Sequence, residues 1–556
     1  MRPSTIPLLL LAVLTFFVGL GRGAITDSDE AFYAEAAREM VESGDWLTPH
    51  YNYEARFQKP ILYYWLTAAT YAVTGAGEAS ARLWSAASGV GLVLLAAACG
   101  RRWFDESIGL VAGGIVATNF GYFAIARMAL PDLPLAFLIS LAIFAAFIAT
   151  LDQERRPRRW VLLSALAMGL AFLMKGPVGV ILPALVVVPI VLLERHALNL
   201  STADVILGAL VFLIVGVPWY AAMWAAHGTA YLESFFVGDN IERFATERFN
   251  DARPWWFYLP IIAGGLLPWT PLAVTCWIGP AWQFLTRRRD LGTLDLRLLL
   301  WASLPLLFYT VSVGKQPRYV LPVLPPLAVL LAGSLVERTR EWRSLDGARV
   351  RPRPSGAIVV GGLTSGALLV GLGALLFRAQ PLLINVADAF TLGGAAVTAL
   401  AGVAVMIVAL SPAWRATAGA LAVAGAVSLV AFQFGALSGS GDDTVQQVAR
   451  VVRAEGVGHE EVGSYRVFVR NLVFYTGLEQ VDLITDEQLT GFLASPNRVV
   501  VVLPDQELRR YEAERGTTLR RLASWPYFNE SGARLRTLLW PALARDVQTV
   551  VLVSNR

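Results

Sequence analysis

Long apolar runs, many of eighteen residues or more, recur along most of the chain and are broken by short polar segments. Runs of that length match the hydrocarbon thickness of a bilayer, so the pattern predicts a polytopic membrane protein. The first run, Met1–Gly21, lacks a small-x-small cleavage site before the acidic segment that follows and predicts an uncleaved first span. Further runs lie at 82–100, 108–125, 133–150, 160–174, 178–193, 205–226, 256–277, 298–313, 319–336, 357–377, 386–410 and 414–436. Together they predict about thirteen transmembrane helices. The stretch Ile61–Gly75 is apolar but short. If it crossed, Arg101 and Arg102 would fall on the wrong face, so it is predicted to lie in the outer interface as an amphipathic or re-entrant segment. Its Tyr63, Tyr64, Trp65 and Tyr71 suit an interfacial belt.

Loops rich in Lys and Arg stay on the cytoplasmic side and so orient the spans. Under this parity one side carries Arg2, Arg101-Arg102, the group Arg155, Arg156, Arg158 and Arg159, Glu194-Arg195-His196, Arg287-Arg288-Arg289 and the stretch Arg338–Arg353. The other side carries the first loop, 23–80, a second long loop, 227–254, and the turns at Asp132, Lys175 and Lys315–Arg318. It also receives the C-terminus. From about Ser438 the composition becomes that of a soluble domain, with strand-type runs Val499–Leu503 and Thr549–Val553 and a charged helical stretch, Gln506–Arg515. The predicted organisation is a mainly α membrane domain, 1–437, followed by a small α/β domain, 438–556, on the outer face.

Composition narrows the function. Of 556 residues, 56% are hydrophobic and 16% charged, against about 25% charged in soluble domains. The net charge of +4 resides in arginine-rich loops between spans, which excludes a nucleic-acid patch. Cys99 and Cys276 lie in separate apolar runs and read as buried thiols rather than a disulfide. His50 and His227 have no second histidine at ligand spacing, so a dedicated zinc site is not supported. Trp255, Trp256 and Tyr258 read first as interfacial belt.

Candidate chemistry gathers on the outer side. The segment Asp27–Lys59 is the first long polar stretch, and it carries Asp29, Glu30, Tyr33, Glu35 and Lys59. Asp132, Lys175, Arg243, Lys315 and Arg318 fall at outer span ends or in outer loops. A lone cation at a span end is often a simple anchor. Carboxylates contribute little to orientation, so Asp29 and Asp132 ask for another reason.

The run Asp29-Glu30-Ala31-Phe32-Tyr33-Ala34-Glu35, then Gly44-Asp45-Trp46 and Phe57-Gln58-Lys59-Pro60, resembles the bacterial aminoarabinose lipid A transferases. These belong with the protein O-mannosyltransferases among polyprenyl-phosphate-dependent membrane glycosyltransferases. The resemblance continues in order through Leu130-Pro131-Asp132, Met174-Lys175-Gly176, Phe235-Phe236 to Ile241-Glu242-Arg243-Phe244, Pro254-Trp255-Trp256-Phe257-Tyr258-Leu259-Pro260, and Lys315 to Arg318-Tyr319 with Leu321-Pro322. It implies a glycosyltransferase C-type fold in the bacterial inner membrane, an active site at the periplasmic surface and a sugar donor on undecaprenyl phosphate. It also implies catalytic carboxylates at Asp29 and Asp132 and a donor-phosphate clamp of Lys59 and Arg243 with Tyr319 nearby. Lys175 falls on a family position of less defined role.

The residue types suit that chemistry in their own right. A hydroxyl acceptor needs a carboxylate base, with Asp29 the first candidate and Glu30 beside it. A phosphate leaving group needs Lys or Arg. One base and one clamp suffice for a single inverting displacement, while Asp132 leaves room for a second carboxylate acting as nucleophile. Tyr33, Lys175, Lys315 and Arg318 are candidates for substrate contacts. Gln58 and Asn240 stand where the aminoarabinose transferases usually carry Glu and His. Their loss removes metal-ligand capacity, so no cofactor is required and the case for a divalent cation is weak. The expected function is transfer of a sugar from an undecaprenyl-phosphate donor to lipid A, another envelope glycan or a protein. The partners are that donor, that acceptor and the bilayer, with no nucleic acid. The alternative is a transporter or flippase of lipid-linked sugars. It is disfavoured because the polar residues cluster at one face rather than at the midplane of repeated halves.

Overall fold

A computed structural model describes the chain apart from residues 1–4, 152–156, 194–199, 248–252, 287–291, 341, 344–348, 351–353 and 530–533. The basic markers Arg2, Arg155, Arg156, Arg195 and Arg287–Arg289, with Glu194, His196 and part of the stretch 338–353, lie outside the described residues. The fold is mainly helical. Among the described residues eight helices are long and apolar enough to cross a membrane, three more qualify as bent pairs, and Thr5–Phe17 and Val178–Leu193 are shorter apolar helices. Each falls on one of the apolar runs read from the sequence.

The bent pairs are a departure from uniform spans, and each break has a local cause. Helices α5 (Glu106–Ala117) and α6 (Phe120–Ala126) meet at 54°. There Asn119 caps α6 by accepting a hydrogen bond from the Tyr122 amide at 2.9 Å. The pair Thr202–Gly216 and Pro218–His227 bends by 41° at Pro218, and Tyr258–Gly265 turns by 113° into the next helix around Pro268. Proline has no N–H to continue the helical ladder.

The first loop is not a loose connector. After α1 (Thr5–Phe17) it forms α2 (Asp29–Ser43), a short antiparallel pairing of His50–Tyr51 with Glu54–Ala55, and α3 (Leu62–Thr74). Ser28 caps α2 by accepting from the Glu30 amide, and Gly44, at φ 72°, ends it. Helix α3 has 13 residues and packs on α2 and on α4 (Glu78–Trp103). It spans about 20 Å at 1.5 Å per residue, short of a bilayer core. The expected belt role of its tyrosines needs correction. Tyr63, Tyr64 and Tyr71 are buried against α2 and α4 because this face is the one that packs the loop onto the membrane domain. Tyr258 is likewise buried, whereas Trp255 and Trp256 are exposed.

Helix α7 (Asp132–Leu151) packs on α4 and on α8 (Pro157–Lys175). The two cysteines are free and buried.

Residues from Thr444 onward form a five-stranded sheet with the order Gln480–Leu483, Val462–Tyr465, Val500–Pro504, Val547–Ser554, Arg520–Phe528. The first three strands are parallel and the last two are added antiparallel. Alternation splits the sheet's apolar residues between two cores. Val500 and Val502 join one, Val501 and Leu503 the other, as expected for strands covered on both faces.

This domain grips the first loop. Asn52 and Gln480 exchange two hydrogen bonds of 2.9 Å, and Tyr53 donates to the Gly477 carbonyl at 2.8 Å. Asp27 accepts from the Arg470 amide at 2.7 Å, and Asn471 donates to the Ile25 carbonyl at 2.9 Å. The sheet domain thus fixes the residues on either side of α2.

Candidate functional site

The ends of α2, α7 and α8 converge. Asp29 opens α2 and Asp132 opens α7, where the helix dipole favours a carboxylate. Lys175 closes α8, where it favours a cation. Gly176, at φ +80°, makes the turn after Lys175, and a Cβ there would fall 2.5 Å from the Phe235 ring. Two further segments complete the wall. Glu233–Glu242 is wound as a π-helix, a form found mostly in single turns and often at functional sites. It leads into Arg243. Pro317–Val323 is a tight 3₁₀ stretch that presents Arg318 and Tyr319.

These elements enclose a cavity of about 310 Å³. Asp29, Tyr33, Lys59, Asp132, Lys175, Arg243, Arg318 and Tyr319 all line it. Arg318 is the link between the two carboxylates. Its Nη2 pairs with Asp29 Oδ2, and its Nε lies 3.2 Å from Asp132 Oδ2. Lys175 Nζ pairs with Asp132 Oδ1 and sits 4.9 Å from the centre of the Tyr319 ring. The carboxylates differ in access: the Asp29 side chain is 44% exposed and that of Asp132 only 4%.

A second ionic group forms the opposite wall. Asp239 Oδ1 accepts from Lys59 Nζ at 3.0 Å and from Arg243 Nη2 at 2.6 Å. Arg243 also bonds Tyr319. Gly314 lets the backbone of Arg243 come close, since a Cβ there would overlap the Arg243 carbonyl. Burial pushes the Lys59 ammonium down to about 8; Asp239 opposes this, while Arg243 and Lys175 add to it. For Asp29, burial would raise the carboxyl. Arg318, with Lys59 and Lys175 behind it, more than reverses that and holds it below the usual aspartate value.

Two predicted site residues lie elsewhere. Glu30 is fully buried and does not line the cavity. One residue along α2 from Asp29, it is rotated by about 100° and faces the protein interior. It accepts from Arg82 Nε at 2.7 Å and from the amides of Thr26 (2.9 Å) and Ala129 (3.0 Å). Lys315 is buried, and its ammonium donates to the Ser312 carbonyl rather than into the cavity. This placement corrects the expectation of Glu30 as a catalytic carboxylate and of Lys315 as a substrate contact. His227 bonds Thr48 at 2.8 Å, away from the cavity lining.

Sequence reasoning missed Arg56 and Asp239. Arg56 stacks 4.0 Å over the Phe32 ring and donates to Tyr64 at 3.3 Å. Asp239 had a usable signal, since it stands four residues before Arg243 in a helical stretch. Gln58 and Asn240 both line the cavity, and Asn240 donates to the Phe235 carbonyl at 2.8 Å. Among the described residues no group of three His, Cys, Asp or Glu is placed to hold a metal ion. The lining carries five basic side chains (Arg56, Lys59, Lys175, Arg243, Arg318) against three acidic ones (Asp29, Asp132, Asp239). Such a cavity holds an anion of one or two charges without leaving a buried charge unpaired.

Residues 9–228 match the Dolichyl-phosphate-mannose-protein mannosyltransferase family. The chain is 35% identical over 354 residues to the Undecaprenyl phosphate-alpha-4-amino-4-deoxy-L-arabinose arabinosyl transferase of Pseudomonas aeruginosa (strain LESB58). It is 36% identical over 354 residues to the protein of the same name from Pseudomonas paraeruginosa (strain DSM 24068 / PA7). Both matches cover 62% of this chain and 62% of the relative's length. The crystal structure of ArnT from Cupriavidus metallidurans bound to undecaprenyl phosphate superposes with a TM-score of 0.71 at 22% identity, over 99% of this chain and 98% of that one. The archaeal oligosaccharyltransferase AglB from Archaeoglobus fulgidus gives 0.52 at 13% identity, over 95% and 73%. The resemblance carried by the sequence motifs is borne out, and the fold is the one these structures share.

Proposed function

We propose that the chain is a membrane glycosyltransferase that moves a sugar from a polyprenyl-phosphate donor to an acceptor hydroxyl in this cavity. The observation that carries the reading is the pairing of one accessible carboxylate, Asp29, with a five-cation lining. The names of the curated relatives support an undecaprenyl-phosphate donor. The acceptor is lipid A, another envelope glycan or a protein.

In this reading the donor phosphate sits against Lys59, Arg243 and Tyr319. The acceptor oxygen forms its bond to the anomeric carbon as its proton passes to Asp29. The bond between that carbon and the phosphate oxygen breaks, and its electron pair stays on the phosphate. The polyprenyl phosphate gains one negative charge, which the clamp stabilises as it develops. Substitution from the opposite face inverts the anomeric centre. The Arg318 pairing keeps Asp29 anionic in the empty site but weakly basic. The negative charge of a phosphate bound beside Lys59 offsets part of that cation's pull and raises the basicity of Asp29. Asp132, buried between Lys175 and Arg318, reads as a positioning residue that fixes both cations, which disfavours a covalent intermediate on it. The reading assigns charge neutralisation to side chains and calls for no cofactor.

We also place the cavity and the sheet domain on the periplasmic side of the inner membrane. Supporting this, Arg101-Arg102 close α4 and Arg158-Arg159 open α8, at the ends of those helices away from the cavity.

The test is mass spectrometry of lipid A, envelope glycans and glycoproteins from a deletion strain complemented with the natural gene or with Asp29→Asn. A sugar missing from one class, restored by the natural gene alone, is the expected result. Identical profiles in all strains overturn the reading.

A further inference from the structure

A second cavity, of about 420 Å³, lies between the membrane helices and the sheet domain and shares no lining residue with the first. One wall is apolar. Phe120, Phe123, Phe432 and Leu437 come from the ends of candidate spans, and Phe120 and Leu437 remain 40% and 38% exposed. The other wall comes from the first loop and the sheet domain and is mixed, with Arg22, Asp27, Asp443 and Asn471 beside Ile25, Val445 and Phe468.

The central charge on this cavity is Arg127, at the end of α6. It is 7% exposed. Its Nη2 donates to the carbonyls of Thr15 (2.8 Å) and Val18 (2.6 Å), which finish α1, and its guanidinium lies 4.7 Å from the Phe123 ring centre. Nε and Nη1 have no acceptor. A buried, charged donor without a partner is costly, so an arginine in this state calls for an anion.

The other charges on the cavity are already engaged. Arg82 is held by Glu30 and by the carbonyls of Leu20, Gly23 and Ala24. Arg22 lies over the Phe434 ring. Asp27 accepts from the Arg470 amide, and Asp443 from the Ala24 amide and the Asn385 side chain.

We propose that this cavity is a binding site for the phosphate of an anionic phospholipid, held by the free donors of Arg127, with the first carbons of its chains against Phe120, Phe123 and Phe432. The apolar wall from span ends is what favours a lipid phosphate over a free one. Occupancy bears on the first cavity through the chain itself. Arg127 and Asp132 bound one tight turn, and the Ala129 amide in that turn is held by Glu30, next to Asp29.

The test reconstitutes the full chain in nanodiscs of phosphatidylcholine with or without phosphatidylglycerol, and counts retained lipids by native mass spectrometry. The natural protein is expected to retain one phosphatidylglycerol, enriched about tenfold over its share of the bilayer. Excess inorganic phosphate should not displace it. Arg127→Met, and Ala436→Trp, which adds bulk to the cavity lining and keeps the arginine in the chain, are each expected to abolish the enrichment. Lys59→Ala, in the first cavity, should leave it intact. Equal retention of both lipids by the natural protein overturns the proposal. So does displacement by inorganic phosphate, or enrichment that follows Lys59 and not Arg127 and Ala436.

Discussion

Lys59 and Asp239 stand 180 residues apart in the chain and meet at 3.0 Å across the candidate site. The carboxylate also takes Arg243, so one buried acid holds both cations of the proposed phosphate clamp. An incoming phosphate exchanges places with part of that contact rather than meeting two free cations. This arrangement keeps the clamp assembled while it is empty.

The clamp sets a pH dependence. Lys59 binds phosphate as an ammonium, and burial has brought its proton affinity down to about 8. Donor affinity is therefore expected to be steady below that pH and to fall above it, by up to about tenfold per pH unit. In Asp239→Asn the carboxylate that favours the charged form is gone, so the fall should begin at lower pH. Binding of a polyprenyl phosphodiester, which carries one fixed charge, measured across a pH series checks both statements. Superimposable curves would remove Asp239 from the clamp.

Asp29→Asn keeps the size of the side chain and removes the base. Transfer is expected to drop by about 10²–10⁴-fold in single-turnover assays. Arg318 keeps Asp132 as a partner, so the unfolding temperature should change little. Near-natural turnover would refute the base assignment.

Glu30 is expected to behave in the opposite way. Leaving one partner of a buried ion pair behind costs about 3–5 kcal/mol. Glu30→Gln and Arg82→Met should both lower expression and the unfolding temperature. The surviving folded fraction should bind donor normally. A stable Glu30→Gln protein that fails only in transfer would return Glu30 to the reacting centre.

Gly314→Ala tests the contact behind the clamp. The added Cβ would overlap the Arg243 carbonyl, so the segment carrying Arg243 has to move. Donor affinity is expected to weaken about tenfold, with the rate from the bound state less affected. Unchanged affinity would show that the position of Arg243 does not depend on this close approach.

Much of this protein is legible as a pattern. Apolar runs announce the membrane helices because burial in lipid demands length and composition, both of which are local properties. The sheet domain is legible for a similar reason: Val499–Leu503 and Thr549–Val553 are apolar strand-type runs, and they coincide with the strands Val500–Pro504 and Val547–Ser554. Polar residues at outer span ends and in outer loops likewise marked Asp29, Lys59, Asp132, Lys175, Arg243 and Arg318, which the fold brings to one cavity.

The order of helices, the separate sheet domain and the set of polar residues at one end of the bundle are thus written in local stretches of the chain. Which of them face each other follows from packing in three dimensions. Adjacent helical residues point about 100° apart, so Asp29 reaches the cavity while Glu30 turns to Arg82. Arg318 enters the cavity while Lys315 folds back on Ser312. Asp239 found Lys59, and Asn52 found Gln480, through packing between segments far apart in the chain. Periodicity is written in neighbouring residues, whereas partner choice depends on how distant elements are stacked, and that is settled only when the whole chain folds.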